Sequence, residues 1–148
     1  MTSDILPPSR DSSAYSHWYE DKVRFADLDA FGHANNNAIG GLFEAARIVL
    51  LRDMGITGFA DTPFHCAIAR LVMEYPQETH LFEAVRVGQR VARIGNSSFL
   101  LHSALFVVRE GKEVCTSTCE AVCVITDSKT HRPAPIPPAA REILSRHA

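Results

Sequence analysis

Between Val23 and Asn37 the chain reads Val-Arg-Phe-Ala-Asp-Leu-Asp-Ala-Phe-Gly-His-Ala-Asn-Asn-Asn, and an apolar run from Ala38 to Met54 follows at once. Two carboxylates, Asp27 and Asp29, a glycine, a histidine and three amides are gathered where a strand pattern gives way to a helix pattern. The first N–H groups of a helix have no intrahelical acceptor and can hold an anion. A carboxylate beside them could act as nucleophile or general base in a reaction that develops negative charge. The same residues also suit a structural role, since aspartates form turns and asparagines enter helices whatever the function. Asp27 is read as mainly structural, and His33 stays open between a structural and a chemical role.

The elements that must position this segment follow from periodicity. Trp18 to Phe25, with Val23 and Phe25 alternating, suits a first strand, and Asp27 to Asn37 is turn chemistry. From Ala38, the residues Ile39, Leu42, Phe43, Ala46, Val49, Leu50 and Met54 recur at helical spacing, and Gly55 stands as a C-terminal stop. Glu44, Arg47 and Arg52 are too few for a solvated face, which predicts a largely buried helix. Glu44 is expected to pair with Arg47 or a partner chain. Gly40 and Gly41 weaken the helix, which implies close approach by another backbone or a ligand. A loop over Thr57–Pro63 follows. Strand signatures then cover Cys66–Tyr75, Ala84–Ile94, Phe99–Arg109 and Val114–Thr126, separated by Pro76-Gln77-Glu78, Gly95-Asn96-Ser97 and Glu110-Gly111-Lys112. That spacing predicts consecutive hairpins and an antiparallel sheet. Four prolines in residues 130–138 predict an extended segment, with a short helix over Ala139–His147.

Composition bounds the function. The chain has 148 residues, 46% of them hydrophobic, which fits one domain over residues 1–148 with an irregular N-terminal segment of about 1–15 and a proline-rich tail over 130–148. Fifteen lysines and arginines against 17 acids leave a net charge of -2 and give no electrostatic case for a nucleic-acid partner. No secretory signal and no membrane-spanning run is present, so the expected setting is cytoplasmic. Cys115, Cys119 and Cys123 recur every fourth residue in one strand, and are expected to share a face with neighbours roughly 13 Å apart. That spacing excludes disulfides among them, and no Cys-x-x-Cys zinc spacing occurs. Nucleophile-elbow, P-loop, dinucleotide and His-Glu-x-x-His motifs are likewise missing from the sequence.

The pattern Asp27-x-Asp29-x-x-Gly32-His33-x-Asn35-Asn36, followed by Glu44-Ala45-Ala46-Arg47, closely resembles the hotdog-fold acyl-CoA thioesterases of the 4-hydroxybenzoyl-CoA thioesterase family. Ile94-Gly95-Asn96-Ser97-Ser98 and Arg132-Pro133-Ala134-Pro135-Ile136-Pro137 extend the resemblance over roughly Trp18 to Leu144. The resemblance implies an α+β hotdog fold, an antiparallel sheet wrapped around a long central helix. It implies hydrolysis of an acyl-CoA or acyl-carrier-protein thioester, with Asp29 as nucleophile or general base. The N–H of Asn36 becomes the oxyanion site, while His33 is to bond the carboxylate, the carbonyl or the leaving thiolate, and Asn35 fixes the loop. Phe31, Ile39, Gly40, Phe43 and Ser98 complete the expected substrate site, with no metal and no cofactor. By analogy with those enzymes an acyl chamber lies between the helix and the neighbouring subunit, and a wall of Ile39, Leu42 and Phe43 would favour a fatty or aromatic acyl group over acetyl; packing of these residues against the sheet is the alternative. Related enzymes form dimers through side-by-side sheets and pair them into tetramers, so a homodimer, extending to a homotetramer, is expected, with the apolar outer sheet face as a subunit contact.

Two departures limit the resemblance. Phe31 stands where plant acyl-ACP thioesterases carry an asparagine, and Gly95-Asn96-Ser97-Ser98 lacks the basic cluster that grips nucleotide phosphates in some relatives. Arg90, Arg93, Arg109, Lys112 and Arg132 are the candidate replacements. Two other readings remain: a dehydratase or hydratase pairing His33 with Glu44, and a non-catalytic acyl-CoA binder.

Overall fold

The computed structural model describes residues 5–56 and 61–148. A five-stranded antiparallel sheet, in the order β1-β3-β4-β5-β2, packs one face on a long helix. Its strands are β1 (His17–Lys22), β2 (Phe64–Glu74), β3 (Ala84–Ile94), β4 (Ser98–Arg109) and β5 (Lys112–Asp127), and its helices α1 (Asn36–Asp53) and α2 (Pro138–Arg146). Ile39, Leu42, Phe43, Ala46, Leu50 and Leu51 of α1 meet the helix-facing residues Val85, Val87, Leu101, Leu105, Ala121 and Cys123 in two adjoining core clusters. This is the hotdog arrangement.

Several local expectations hold for identifiable reasons. Gly55 takes a φ of 73°, and the N–H groups of Gly55 and Ile56 donate to the carbonyls of Arg52 and Leu51, which closes α1 in a Schellman motif. Glu110 and Gly111, with φ of 51° and 73°, form the two-residue turn between β4 and β5. The proline segment runs extended, with Ala134 N–H donating to Ile125 O, before Pro138 starts α2. Part of the expected loop over Thr57–Pro63 lies outside the described residues.

Other elements differ from expectation. β1 ends at Lys22, because Phe25 opens a single 3-10 turn (Phe25–Asp27) and is exposed. β2 and β3 are not a hairpin: β2 pairs with β5 at one edge, while β3 sits between β1 and β4. The 75–83 connection therefore crosses the sheet instead of reversing tightly. A bulge at Thr116 sets Leu105 against Ser117 and Phe106 against Cys115. It flips the alternation, so Cys115 packs with Tyr15, Ala104 and Phe106 on the outer face while Cys119 and Cys123 face the helix. The three cysteines thus do not share one face.

The long helix is also less buried than expected. Asn37, Gly41, Glu44, Ile48 and Arg52 are exposed, and no ion pair joins Glu44 to Arg47 among the described residues. A Cβ on Gly41 would meet nothing within 4 Å, and one on Gly40 would only touch the Met73 methyl at 3.6 Å. Neither glycine is crowded by its own subunit.

On the outer face the chain covers itself. Tyr15 stacks edge-on against Trp18 and Phe106, and Pro7 and Pro8 lie beside Val72, Thr118 and Glu120. Leu100, His102, Ala104 and Phe106 are consequently buried within the single chain, so the outer face is not the bare apolar surface expected as a subunit contact. Buried His102 pairs with Glu120 at 3.2 Å, opposite Arg90 in the register. Burial pushes the His102 pKa down against the opposing pull of Glu120. A histidine kept neutral when folded binds a proton more readily when unfolded, so stability should fall as pH drops below about 6.5. His102→Gln, neutral throughout, should flatten the melting temperature between pH 7 and pH 5; parallel slopes for wild type and variant would contradict this.

Candidate active site

The loop before α1 is built by backbone hydrogen bonds that its carboxylates and glycine make possible. Asp27 Oδ2 accepts from Arg24 N–H at 2.8 Å and its Oδ1 from Arg24 Nη2 at 3.1 Å, closing a capping box around the 3-10 turn. The Arg24 side-chain hydrogen bond holds the Asp27 carboxyl below the usual carboxylate range. Asp27 O in turn accepts from Asn35 N–H at 2.8 Å. This is the structural role read from the sequence.

Asp29 sits two residues on, at the tip of a closed loop. Its Oδ1 accepts from Phe31 N–H at 2.8 Å and from His33 N–H at 3.3 Å, while its own N–H donates to His33 O at 2.9 Å. Gly32 makes the reversal with a φ of 82°. Asp29 Oδ2 has no partner among the described residues, and the side chain is exposed at the mouth of a cleft of about 480 Å³.

Helix α1 begins in the same cleft. Asn35 is its N-cap, with Oδ1 accepting from Ala38 N–H at 2.8 Å, and its carbonyl accepts from Ile39 N–H at 3.0 Å. The N–H groups of Asn36 and Asn37 have no acceptor among the described residues. They point out of the positive end of the helix dipole.

The opposite wall is the 75–83 crossover. Tyr75, Pro76, Gln77, Glu78 and Thr79 line the cleft with Asp29, His33, Ala34, Asn36, Ile39 and Ser117. Ala34 N–H donates to Thr79 O at 2.9 Å, and Thr79 Oγ1 donates to Thr116 Oγ1 at 2.9 Å, which ties loop, crossover and β5 together. Arg109 holds the far end, donating to both Glu83 oxygens at 2.7 and 2.9 Å and to Glu78 O at 2.7 Å. Arg109 is thus committed to structure rather than standing free for a phosphate.

His33 turns its Nε2 to Glu78 at 3.1 Å and meets Asp29 through its backbone, by its N–H and its carbonyl, rather than through its ring. His80 Nε2 lies 3.6 Å from the same Glu78 oxygen, and the three groups offer ligand atoms within 4.8 Å of one another, a set able to hold a divalent ion. Glu78 and His80 escaped the sequence reading because they lie some 45 residues from His33 with no motif joining them.

Of the expected site residues, the structure brings together Asp29, His33, Asn36 and Ile39, with Asn35 holding the helix start. Phe31 is 83% exposed and outside the cleft, and Phe43 is in the core. Gly40 borders a separate groove of about 350 Å³ shared with Asn36, Asn37, Glu44, Arg47, Ile68, Leu71 and Met73. Ser98 opens β4 seven residues before Leu105, about 23 Å along the strand from the level of Ser117. The apolar wall expected of Ile39, Leu42 and Phe43 is reduced to Ile39, because Leu42 and Phe43 point into the core.

A sheet curled round one long helix, with a carboxylate loop at the helix start, defines a protein of the hotdog class. Residues 23–144 match the thioesterase-like superfamily, and the chain belongs to it. The PA5185 protein from Pseudomonas aeruginosa strain PAO1 superposes with a TM-score of 0.85 at 26% identity, over 95% of this chain and 96% of that one. A thioesterase from Thermus thermophilus, complexed with coenzyme A and Zn, superposes at 0.75 with 28% identity, over 90% and 94%. YsmA, an uncharacterised protein of Bacillus subtilis (strain 168), is 25% identical over 97 residues, which is 66% of this chain and 65% of that relative's length.

Asp27→Ala should unfold about 1–3 kcal/mol more easily at pH 7, because backbone and guanidinium donors lose a mostly buried acceptor. A depressed carboxylate stabilises only while ionised, so the gap to wild type should close as pH falls below about 4. A gap unchanged down to pH 2 in urea titrations would contradict this role.

Proposed function

We propose that the chain hydrolyses an acyl-CoA thioester to a free acid and the thiol of coenzyme A, with Asp29 as the reacting carboxylate. The observation that carries this reading is the shared cleft: one unengaged Asp29 oxygen and the unpaired Asn36 N–H face the same space. The thioester carbonyl docks on the helix start, where the N–H and the helix dipole stabilise the oxyanion as the carbon becomes tetrahedral. Asp29 Oδ2 then either attacks that carbon, giving an acyl–aspartyl anhydride that a water afterwards hydrolyses to restore the carboxylate, or takes a proton from an attacking water. In both routes the C–S bond breaks, the sulfur leaves as thiolate and is protonated, and water supplies the oxygen of the acid. His33, steadied by Glu78, borders the path of the leaving sulfur.

The coenzyme A bound by the Thermus neighbour supports coenzyme A as the thiol carrier. A carrier-protein thioester is the second carrier, since no cluster of free cations borders the cleft among its lining residues. The dehydratase reading loses support, because His33 faces Glu78 while Glu44 lies along the other groove.

Assembly as a homodimer fits the β2 edge. β2 is 11 residues long, has β5 on one side only, and exposes Ile68, Leu71 and Val72, whereas β1 at the other edge has six residues. A long apolar edge of this kind invites pairing with a second chain.

Incubation with a panel of acyl-CoAs should release free thiol. Asp29→Asn should fold, bind substrate and lose at least ~100-fold in turnover, and Asp27→Asn should lose less. Near-normal turnover in a folded Asp29→Asn protein would sink the assignment, as would binding without thiol release by wild type. Light scattering should report a dimer for wild type and a monomer for Leu71→Asp; a stable, active wild-type monomer would refute the assembly.

A further inference from the structure

The floor of the cleft holds a hydroxyl that the reaction as described does not use. Ser117 is 1% exposed, and its Oγ has no hydrogen-bond partner among the described residues. It nonetheless lines the cleft that Asp29 and Asn36 open onto. Buried polar groups in folded proteins are normally paired, so an unpaired one facing a cleft marks a place for a ligand's polar atom.

A built feature puts the side chain on the cleft's side of the sheet. Without the bulge at Thr116, strict alternation along β5 would send residue 117 to the same outer face as Cys115. The extra residue instead sets Ser117 opposite Leu105, on the helix side of the sheet, in line with Cys119 and Ala121. The neighbouring hydroxyls are spoken for, since Thr116 and Thr79 bond one another. Ser117 is the member of this polar floor left open.

Its depth says which part of a substrate it meets. Asp29 and Asn36 are exposed at the mouth, whereas Ile39 and Ser117 are buried. Ile39 lies one helical turn beyond Asn36, about 4.5 Å along the axis. A carbonyl held at the Asn36 N–H therefore sends the first few carbons of its acyl chain past Ile39 toward Ser117, while the thiol carrier stays outside. The surrounding wall of Tyr75, Gln77 and Thr79 is polar, unlike a channel for saturated hydrocarbon.

Resting on the thioesterase reading, we propose that Ser117 is a specificity-determining residue that hydrogen-bonds a hydroxyl or oxo oxygen close to the thioester carbonyl. The cleft thereby selects oxygenated acyl groups over unsubstituted ones of equal length. A site built to pair a substrate oxygen rejects the analogue lacking it, because the protein group is then left unpaired.

The test compares 3-hydroxyoctanoyl-CoA and 3-oxooctanoyl-CoA with octanoyl-CoA on wild type and Ser117→Ala. Wild type should favour at least one oxygenated substrate by ten-fold or more in kcat/KM. Ser117→Ala should lose that preference, its kcat/KM falling ten-fold or more on the favoured oxygenated substrate and by clearly less on octanoyl-CoA. Its melting temperature without ligand should equal or exceed wild type's, since an unpaired oxygen is removed. Equal losses on all three substrates, no loss on any, or a clear drop in melting temperature would each overturn the proposal, the last by showing a hydroxyl already partnered, for instance by water. If wild type releases no thiol from any substrate, the thioesterase reading fails separately. Calorimetric binding of the same three ligands to both proteins then reads the Ser117 preference without turnover, and equal affinities would overturn it.

Discussion

The first N–H groups of α1 cannot be bonded inside the helix, and much of the surrounding chain is organised by that fact. Asn35 spends its side chain on the third of them, at Ala38, which leaves those of Asn36 and Asn37 facing outward. Asp27 then fixes where Asn35 stands, through the 2.8 Å bond from Asn35 N–H to the Asp27 carbonyl. The same short stretch folds Asp29 back over the helix start, with Gly32 supplying a conformation that a side chain would resist. One aspartate is therefore buried and paired, while the other keeps an oxygen free. Their different environments, two residues apart, separate the carboxylate that braces the loop from the one open to the cleft.

This arrangement needs a wall, and the wall comes from topology. Because β2 pairs with β5 rather than β3, the 75–83 segment must cross the sheet, and it does so beside the helix start. Arg109 on β4 holds Glu78 and Glu83 of that crossing, and Thr116 on β5 holds Thr79. A simple β2–β3 hairpin would have left Asp29 facing solvent alone. The cleft is thus a consequence of strand order as much as of the motif.

Legibility in the sequence follows the range of the forces involved. The 3.6-residue repeat of α1, the Gly55 stop, the Glu110-Gly111 turn and the asparagine cap depend on residues a few positions apart, and their types announce them. The placement of Asp29, His33 and Asn36 was readable for the same reason. The crossover, the bulge and the Glu78–His33 pair depend on contacts between distant segments, and nothing local distinguishes Thr116 from its neighbours. Phe31, Phe43 and Ser98 stand outside the cleft of the single chain, and spacing along the sequence does not say which side of a loop or helix faces it. Ser117 could have been found only by knowing that the alternation in β5 breaks.

The groove along α1 is connected to the cleft through one residue. Asn36 borders both, and the groove continues over Gly40, Gly41 and Glu44 to the open edge of β2. The absence of side chains at Gly40 and Gly41, unexplained within the subunit, keeps that groove wide at the helix's first turns. Any surface that covers β2 and fills the groove would also take water away from the Asn36 and Asn37 N–H groups. Fixed dipoles act more strongly on a developing oxyanion when water is excluded. Covering the exposed edge and strengthening the helix-start donors are therefore one physical event, which links the two weak glycines of α1 to the N–H groups at its N-terminus, unpaired among the described residues.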